Sequence, residues 1–193
     1  MGRIFYIMGK SATGKDTVYK EILKRRPDLK TIVMYTTRPI REGETDGVEY
    51  HFRTIPQFEE INESGKVIEF RVYQTVFGPW YYFTMDDGQF DLAGEENYLM
   101  IGTLESYEMM MQYFGKEALV PIYIEVPDGI RLQRAVDRES AQKNPNYKET
   151  CRRYLADEDD FTEEKLQRLL IERRYQNLEL ETCLDSILND ISC

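Results

Sequence analysis

Residues 3–17 read RIFYIMGKSATGKDT, an apolar run that passes directly into a loop bounded by glycines. Gly9, four residues, Gly14 and then Lys15 is the spacing of a phosphate-cradling loop. Glycines at both ends let the backbone curl so that successive N–H groups point inward, and a following helix adds its positive N-terminal end. Lys15 is placed to reach the outer phosphates of a nucleotide, and Ser11, Ala12, Thr13 and Thr17 complete the cradle. The run from Arg3 to Met8 predicts a strand. Val18, Ile22 and Leu23 recur at helix spacing over residues 15–26, Pro27 ends the helix, and KTIVMY (residues 30–35) predicts a second strand. Strand, loop, helix, strand is the βαβ unit of an α/β fold. One residue departs from the pattern. Asp16 stands where Ser or Thr would offer a hydroxyl to Mg²⁺. A carboxylate is also a hard oxygen ligand, so Asp16 is read as the metal-side residue. The alternative is an acid that simply favours the helix N-terminus.

Composition narrows the function classes. The chain has 193 residues, the size of one domain with a substantial core. A formal net charge of −10 sets its surface against nucleic acid and anionic membranes, because the electrostatic interaction is repulsive. No stretch approaches a spanning helix, and charged residues come too early for a secretory segment. Cys151, Cys183 and Cys193 are too few and irregular for a disulfide framework or a metal knuckle, which points to a reducing cytoplasm. His51 is the single histidine, so multi-histidine metal sites are excluded. The expected assembly is a monomer or homodimer.

Beyond the first βαβ unit the character changes. Residues 36–94 alternate glycine, aromatic and charged residues with short strands such as GVEYHF and KVIEFRVYQTV, which predicts an inserted α+β lobe. The α/β rhythm resumes with NYLMIG, LESYEMMMQYFG, LVPIYIEV and DGIRLQRAVDR. A charged helical region from Lys148 to about Glu172 and a last helix around LELETCLDSILNDI close the chain. The expected plan is one domain, with a core of residues 1–35 and 95–193, an acceptor lobe of 36–94 and a lid at about 138–150. The fold class is a three-layer α/β/α core with a parallel sheet.

Within the lobe, residues 35–52 read YTTRPIREGETDGVEYHF. Arg38 and Arg41 lie three apart beside Thr36, Thr37 and Tyr50, and two guanidiniums near hydroxyls can grip a phosphate bidentately. A donor phosphate site and an acceptor phosphate site are what a phosphoryl-transfer enzyme must hold.

This stretch, with the upstream phosphate loop, resembles the monophosphate signature of guanylate kinases. The resemblance implies that Arg38, Arg41 and Tyr50 hold the GMP phosphate, and that Glu69 of ESGKVIEF takes the guanine-reading position. An ionised carboxylate there accepts both N1–H and N2–H of guanine, whereas adenine would present an unprotonated N1. RAVDR resembles the family's paired lid arginines, giving Arg134 and Arg138. CRRYLADEDD resembles the next helix, where Arg152 and Arg153 compete to reach the phosphates. YQNLELETCLDSI resembles the family's Asn-containing strand and last helix.

Three stretches depart from the family. Met34 replaces a serine that touches the base. RVYQTVFGPWYYFT is longer and more aromatic than the family's base-closing segment, leaving Tyr81, Tyr82 or Thr84 to supply contacts. LMIGTLES lacks both aspartates of an Asp-Ile-Asp run. The resemblance implies a kinase that uses ATP with Mg²⁺ to phosphorylate a nucleoside monophosphate, GMP first. The rival readings are a P-loop kinase of another small phosphate, such as a ribose bisphosphate, and a non-catalytic guanylate-kinase-like binding module.

Overall fold

The computed structural model describes residues 1–75 and 77–191. Nine strands and seven helices form among them: β1 Ile4–Met8, α1 Lys15–Arg25, β2 Lys30–Thr31, β3 Tyr35–Thr36, β4 His51–Phe52, α2 Ile55–Glu63, β5 Val67–Thr75, β6 Gly78–Met85, β7 Tyr98–Ile101, α3 Leu104–Phe114, β8 Leu119–Glu125, α4 Asp128–Ser140, α5 Tyr147–Asp160, α6 Glu163–Arg168, β9 Arg174–Gln176 and α7 Leu180–Ile191. Five strands make one sheet in the order β2-β7-β1-β8-β9, every pair parallel.

Alternation along β1 explains the three layers. Phe5 and Ile7 join Leu99, Ile122 and Ile124 on one face and pack on Val18 and Ile22 of α1 and on Leu184 and Ile187 of α7. Ile4, Tyr6 and Met8 face the other way, with Tyr98 and Met100, onto Leu104, Tyr107 and Met110 of α3 and Leu166 of α6. A strand buried on both faces reads as an unbroken apolar run, which is why IFYIM shows no alternation in sequence.

The second sheet has the order β4-β3-β6-β5 and forms the predicted lobe. Its cluster of Tyr35, Phe58, Phe83 and Met85 is small and aromatic. α2, which carries Phe58, begins at a capping box between Thr54 and Gln57. This exchange satisfies two backbone donors that the first turn of a helix leaves open.

Three expectations change. KTIVMY is not one strand: Lys30–Thr31 pairs with β7 in the core sheet, while Tyr35–Thr36 joins the lobe, so the chain crosses between sheets at Ile32–Met34. The helical region after Lys148 is two helices, broken where Phe161 leaves helical geometry and Thr162 caps α6. The lobe's sheet ends at Met85, and Phe90 and Leu92 already pack on the core cluster, ahead of the expected boundary at 94.

Candidate active site

The loop between β1 and α1 is built as its glycines require. Gly14 has φ 84°, and a Cβ there would sit 2.5 Å from Asn177 Nδ2. Both the left-handed backbone and the close approach demand glycine. Asn177 in turn donates to the Thr13 carbonyl at 2.7 Å, tying the loop to the segment after β9. Thr13 donates through Oγ1 to the Lys10 carbonyl at 2.8 Å. Ala12 also takes a left-handed φ of 63°, so the loop is curled along its length.

A cleft of about 410 Å³ opens over this loop, lined by Ser11, Ala12, Gly14, Lys15, Asp16 and Thr17 together with Arg134, Arg138 and Arg153. The structure therefore brings the two predicted lid arginines, and Arg153 of the following helix, to the predicted phosphate loop. In a chain of net charge −10, this concentration of cations marks an anion site. Arg134 also donates to the Asn177 carbonyl at 3.1 Å, so one side chain serves cleft and scaffold. Arg152 does not line the cleft. It is held by Glu149 through two 2.8 Å bonds and lies in electrostatic reach of Tyr73 in the lobe.

A second set of contacts, absent from the sequence reading, fixes α5 against the loop. Asp157 accepts from the Ser11 N–H at 2.8 Å and from its hydroxyl at 3.3 Å, which shows that this N–H points to an anion. Arg131 is fully buried and bonds Asp128 at 3.1 Å, Asp157 at 3.0 Å, and Glu158, with its guanidinium 4.0 Å from the centre of the Tyr154 ring. Lys10 pairs with Glu158 at 2.7 Å. A charge this deep persists because it is paired and hydrogen-bonded on several sides. Sequence alone offered only the charged faces of two helices.

In the lobe, Arg38 is almost completely buried. It makes a two-pronged pair with Glu44, one arm at 2.7 Å, and lies over the rings of Tyr50 and Phe52. The Glu44 carboxyl, which also accepts the Arg41 N–H at 2.8 Å, is held down to about 2, chiefly by the Arg38 fork and then by that N–H. The Arg41 side chain is exposed on the same loop. Thr37 Oγ1 accepts the Tyr81 N–H at 2.9 Å, so Thr37 braces the loop against β6.

Strand parity decides which aromatic residues face the site. Arg71 pairs across the sheet with Tyr82, and Glu69 with Thr84; Tyr82 meets Tyr50 edge to face at 5.7 Å. Tyr81, expected among the acceptor contacts, turns its ring to the opposite face and stacks on Phe58 of α2 at 4.3 Å. That is a correction: side chains alternate, and the facing position belongs to Tyr82. Glu69 and Thr84 are buried together with Arg71, and Thr84 Oγ1 donates to Glu69 at 2.7 Å. The Arg71 signal was present in sequence, because a residue two positions after Glu69 shares its face. Gly102, in the stretch that lacks the aspartates, is filled from the core: a Cβ there would fall 2.1 Å from the Tyr6 hydroxyl, which hydrogen-bonds Ser106 at 2.6 Å. Burial, then the nearby Glu69 charge, pushes the Tyr6 phenol well above its ordinary range.

Known proteins are similar to this chain in sequence and in fold. The family model described as Guanylate kinase matches residues 1–81. The guanylate kinase of Salinibacter ruber is 30% identical over 145 residues, 72% of this chain and 75% of its own length. That of Chlorobaculum tepidum is 33% identical over 145 residues, covering 73% and 72%. The crystal structure of guanylate kinase from Anaplasma phagocytophilum superposes with a TM-score of 0.66 at 19% identity, over 99% of this chain and 85% of that one, a likeness of fold. With the phosphate loop, its arginines and the second lobe in place, the chain belongs to the guanylate kinase family.

Proposed function

We propose that the protein transfers the γ-phosphoryl group of ATP to GMP. The observation that carries this reading is the meeting of Lys15 with Arg134, Arg138 and Arg153 around one cleft, while Arg38, Tyr50 and Tyr82 gather in a separate lobe. Such a reaction asks little covalent chemistry of the protein; it needs positioning and charge stabilisation. Backbone N–H groups of the loop beyond Ser11, whose own N–H is taken by Asp157, together with Lys15, bind the donor phosphates. Arg153 and Arg138 meet charge that develops on the transferring group, and no enzyme-bound covalent intermediate is required. Arg38, Arg41 and Tyr50 orient the acceptor phosphate, exchanging part of the Arg38–Glu44 pairing for it. Exclusion of water by the approach of the two lobes protects ATP from simple hydrolysis.

The donor set fits a magnesium ion bound chiefly through substrate. Among the described residues no group of three potential ligands is assembled, and Asp16 lines the cleft as a hard oxygen donor, which is the sparse protein coordination Mg²⁺ accepts. When bound with ATP, the ion supplies charge neutralisation at the phosphates. Cys183 is buried and Cys151 exposed, both as free thiols. No helix of the described residues is long and apolar enough to cross a membrane.

The test is ADP release from ATP and Mg²⁺ in the presence of each of a panel of monophosphates and a ribose bisphosphate. GMP is expected to support turnover, and Lys15→Ala to reduce it by roughly 10²–10³ in rate, the cost of about 3–4 kcal/mol of transition-state contact. Turnover with the ribose bisphosphate but not GMP would move the protein to another acceptor. Near-normal turnover by folded Lys15→Ala would remove the proposed role of the loop.

A further inference from the structure

The guanidinium of Arg71 stands on the face of β5 that carries Glu69, with part of its bonding capacity unused. Nε donates to Glu69 at 3.1 Å and Nη2 at 3.3 Å, and Nη2 also lies 4.0 Å from Met34 Sδ. Nη1 has no partner among the described residues, and no buried side-chain nitrogen is left unsatisfied, so Nη1 opens to the surface of the lobe. The direction matters. Arg71 pairs across the sheet with Tyr82, and both Arg38 and Arg71 act electrostatically on Tyr50. Arg71 therefore shares the face of Tyr82 and of Glu69, and Glu69 is the residue expected to meet the base of a bound monophosphate.

Glu69 cannot be read in isolation. A carboxylate has about four lone-pair sites. Oε1 already takes Thr84 Oγ1 at 2.7 Å and Arg71 Nη2 at 3.3 Å, and Oε2 takes Arg71 Nε at 3.1 Å. One site remains. The N1–H and 2-amino group of guanine ask for two.

We infer that Arg71 is a specificity-determining residue for the acceptor, donating from its open edge to the keto oxygen of a 6-oxopurine, with Glu69 accepting only the ring N1–H. This rests on the functional reading above and narrows it. Guanine and hypoxanthine share that oxygen and that N–H, so GMP and IMP are both acceptors. Adenine presents an amino donor to a guanidinium that can only donate, and an unprotonated N1 to a carboxylate that can only accept. AMP is rejected on both counts.

The experiment measures kcat/KM in the ADP-release assay, and binding by calorimetry, for GMP, IMP and AMP. Wild type is expected to use GMP and IMP within about tenfold of one another. Arg71→Ala would leave a buried carboxylate unpaired, whereas Arg71→Lys keeps a counter-ion for Glu69 but removes the second donor edge. It is expected to weaken GMP and IMP by about tenfold or more while leaving AMP binding and the KM for ATP unmoved. Thr84→Val returns a lone-pair site to Oε1, and the ratio of GMP to IMP should rise. A merely structural role for Arg71 would lower all three acceptors together and leave the Thr84→Val ratio flat. Wild type that prefers GMP over IMP by more than about a hundredfold, or Arg71→Lys that binds both as before, overturns the inference alone. Wild type that neither binds nor phosphorylates GMP or IMP overturns the functional reading, and the inference with it.

Discussion

Tyr6 and Gly102 show how one residue choice fixes another. Tyr6 is buried in the centre of the parallel sheet, and its hydroxyl occupies the volume a side chain at 102 would take. The polar end of a buried tyrosine needs a partner, which Ser106 supplies at 2.6 Å. Neither fact could be read from LMIGTLES, because the contact spans about a hundred positions of chain. Gly102→Ala is expected to destabilise the protein by about 1–3 kcal/mol, the usual cost of overpacking a filled core. Urea denaturation measures it. An unchanged midpoint would mean that the Tyr6 ring moves aside freely.

At the scale of elements, the sequence declared the phosphate loop because its chemistry is local. Glycine spacing, an apolar strand before and a helix after are all visible within fifteen residues or so. The lid was legible only as charged helix. What sets its position is the long-range tie of Arg131, on α4, to Asp157 and Glu158 on α5, and of Asp157 to Ser11. The structure also places differently the two adjacent arginines that sequence left open. Both pair with Glu149, but helix rotation carries Arg153 to the cleft, whereas Arg152 stays outside it. Arg153→Ala is expected to lower kcat by about 10²-fold, as for a group that meets transition-state charge, and Arg152→Ala by only a few-fold, as for an exposed pair. Arg131→Met should act differently. It removes the shared partner of Asp128, Asp157 and Glu158 and is expected to cost about 3–5 kcal/mol in thermal unfolding. Equal kcat losses at 152 and 153 would mean that α5 turns on binding substrate.

For the whole molecule, the two sheets carry cores of very unequal size, and this shapes its response to acid. The parallel sheet is buried on both faces. The lobe relies on four buried apolar residues and on pairings such as Arg38–Glu44 along its acceptor loop. Sequence foresaw the lobe as a distinct unit from its change in composition, but not its weakness, which follows from how little apolar surface it encloses. The Glu44 carboxyl lies at about 2 in the folded protein, against an ordinary value of 4.5. A group whose pKa is lowered by folding stabilises the native state fully above its ordinary value. That contribution is lost as pH falls from there through about 2. The lobe should therefore loosen before the core as acid is added. Trp80, the only tryptophan, sits in β6 and reports the lobe alone, whereas the helices that dominate far-UV circular dichroism belong mainly to the core. The expected outcome is a tryptophan fluorescence change between about pH 4.5 and 2 that precedes loss of helix signal. Glu149 on α5 is held down to about 2 in the same way by Arg152 and Arg153, so the two signals must be separated by mutation. Glu44→Gln removes the titrating group and should make the fluorescence change begin nearer neutral pH and depend less steeply on acid. Coincident fluorescence and helix transitions in wild type, unmoved by Glu44→Gln, would mean that lobe and core unfold as one.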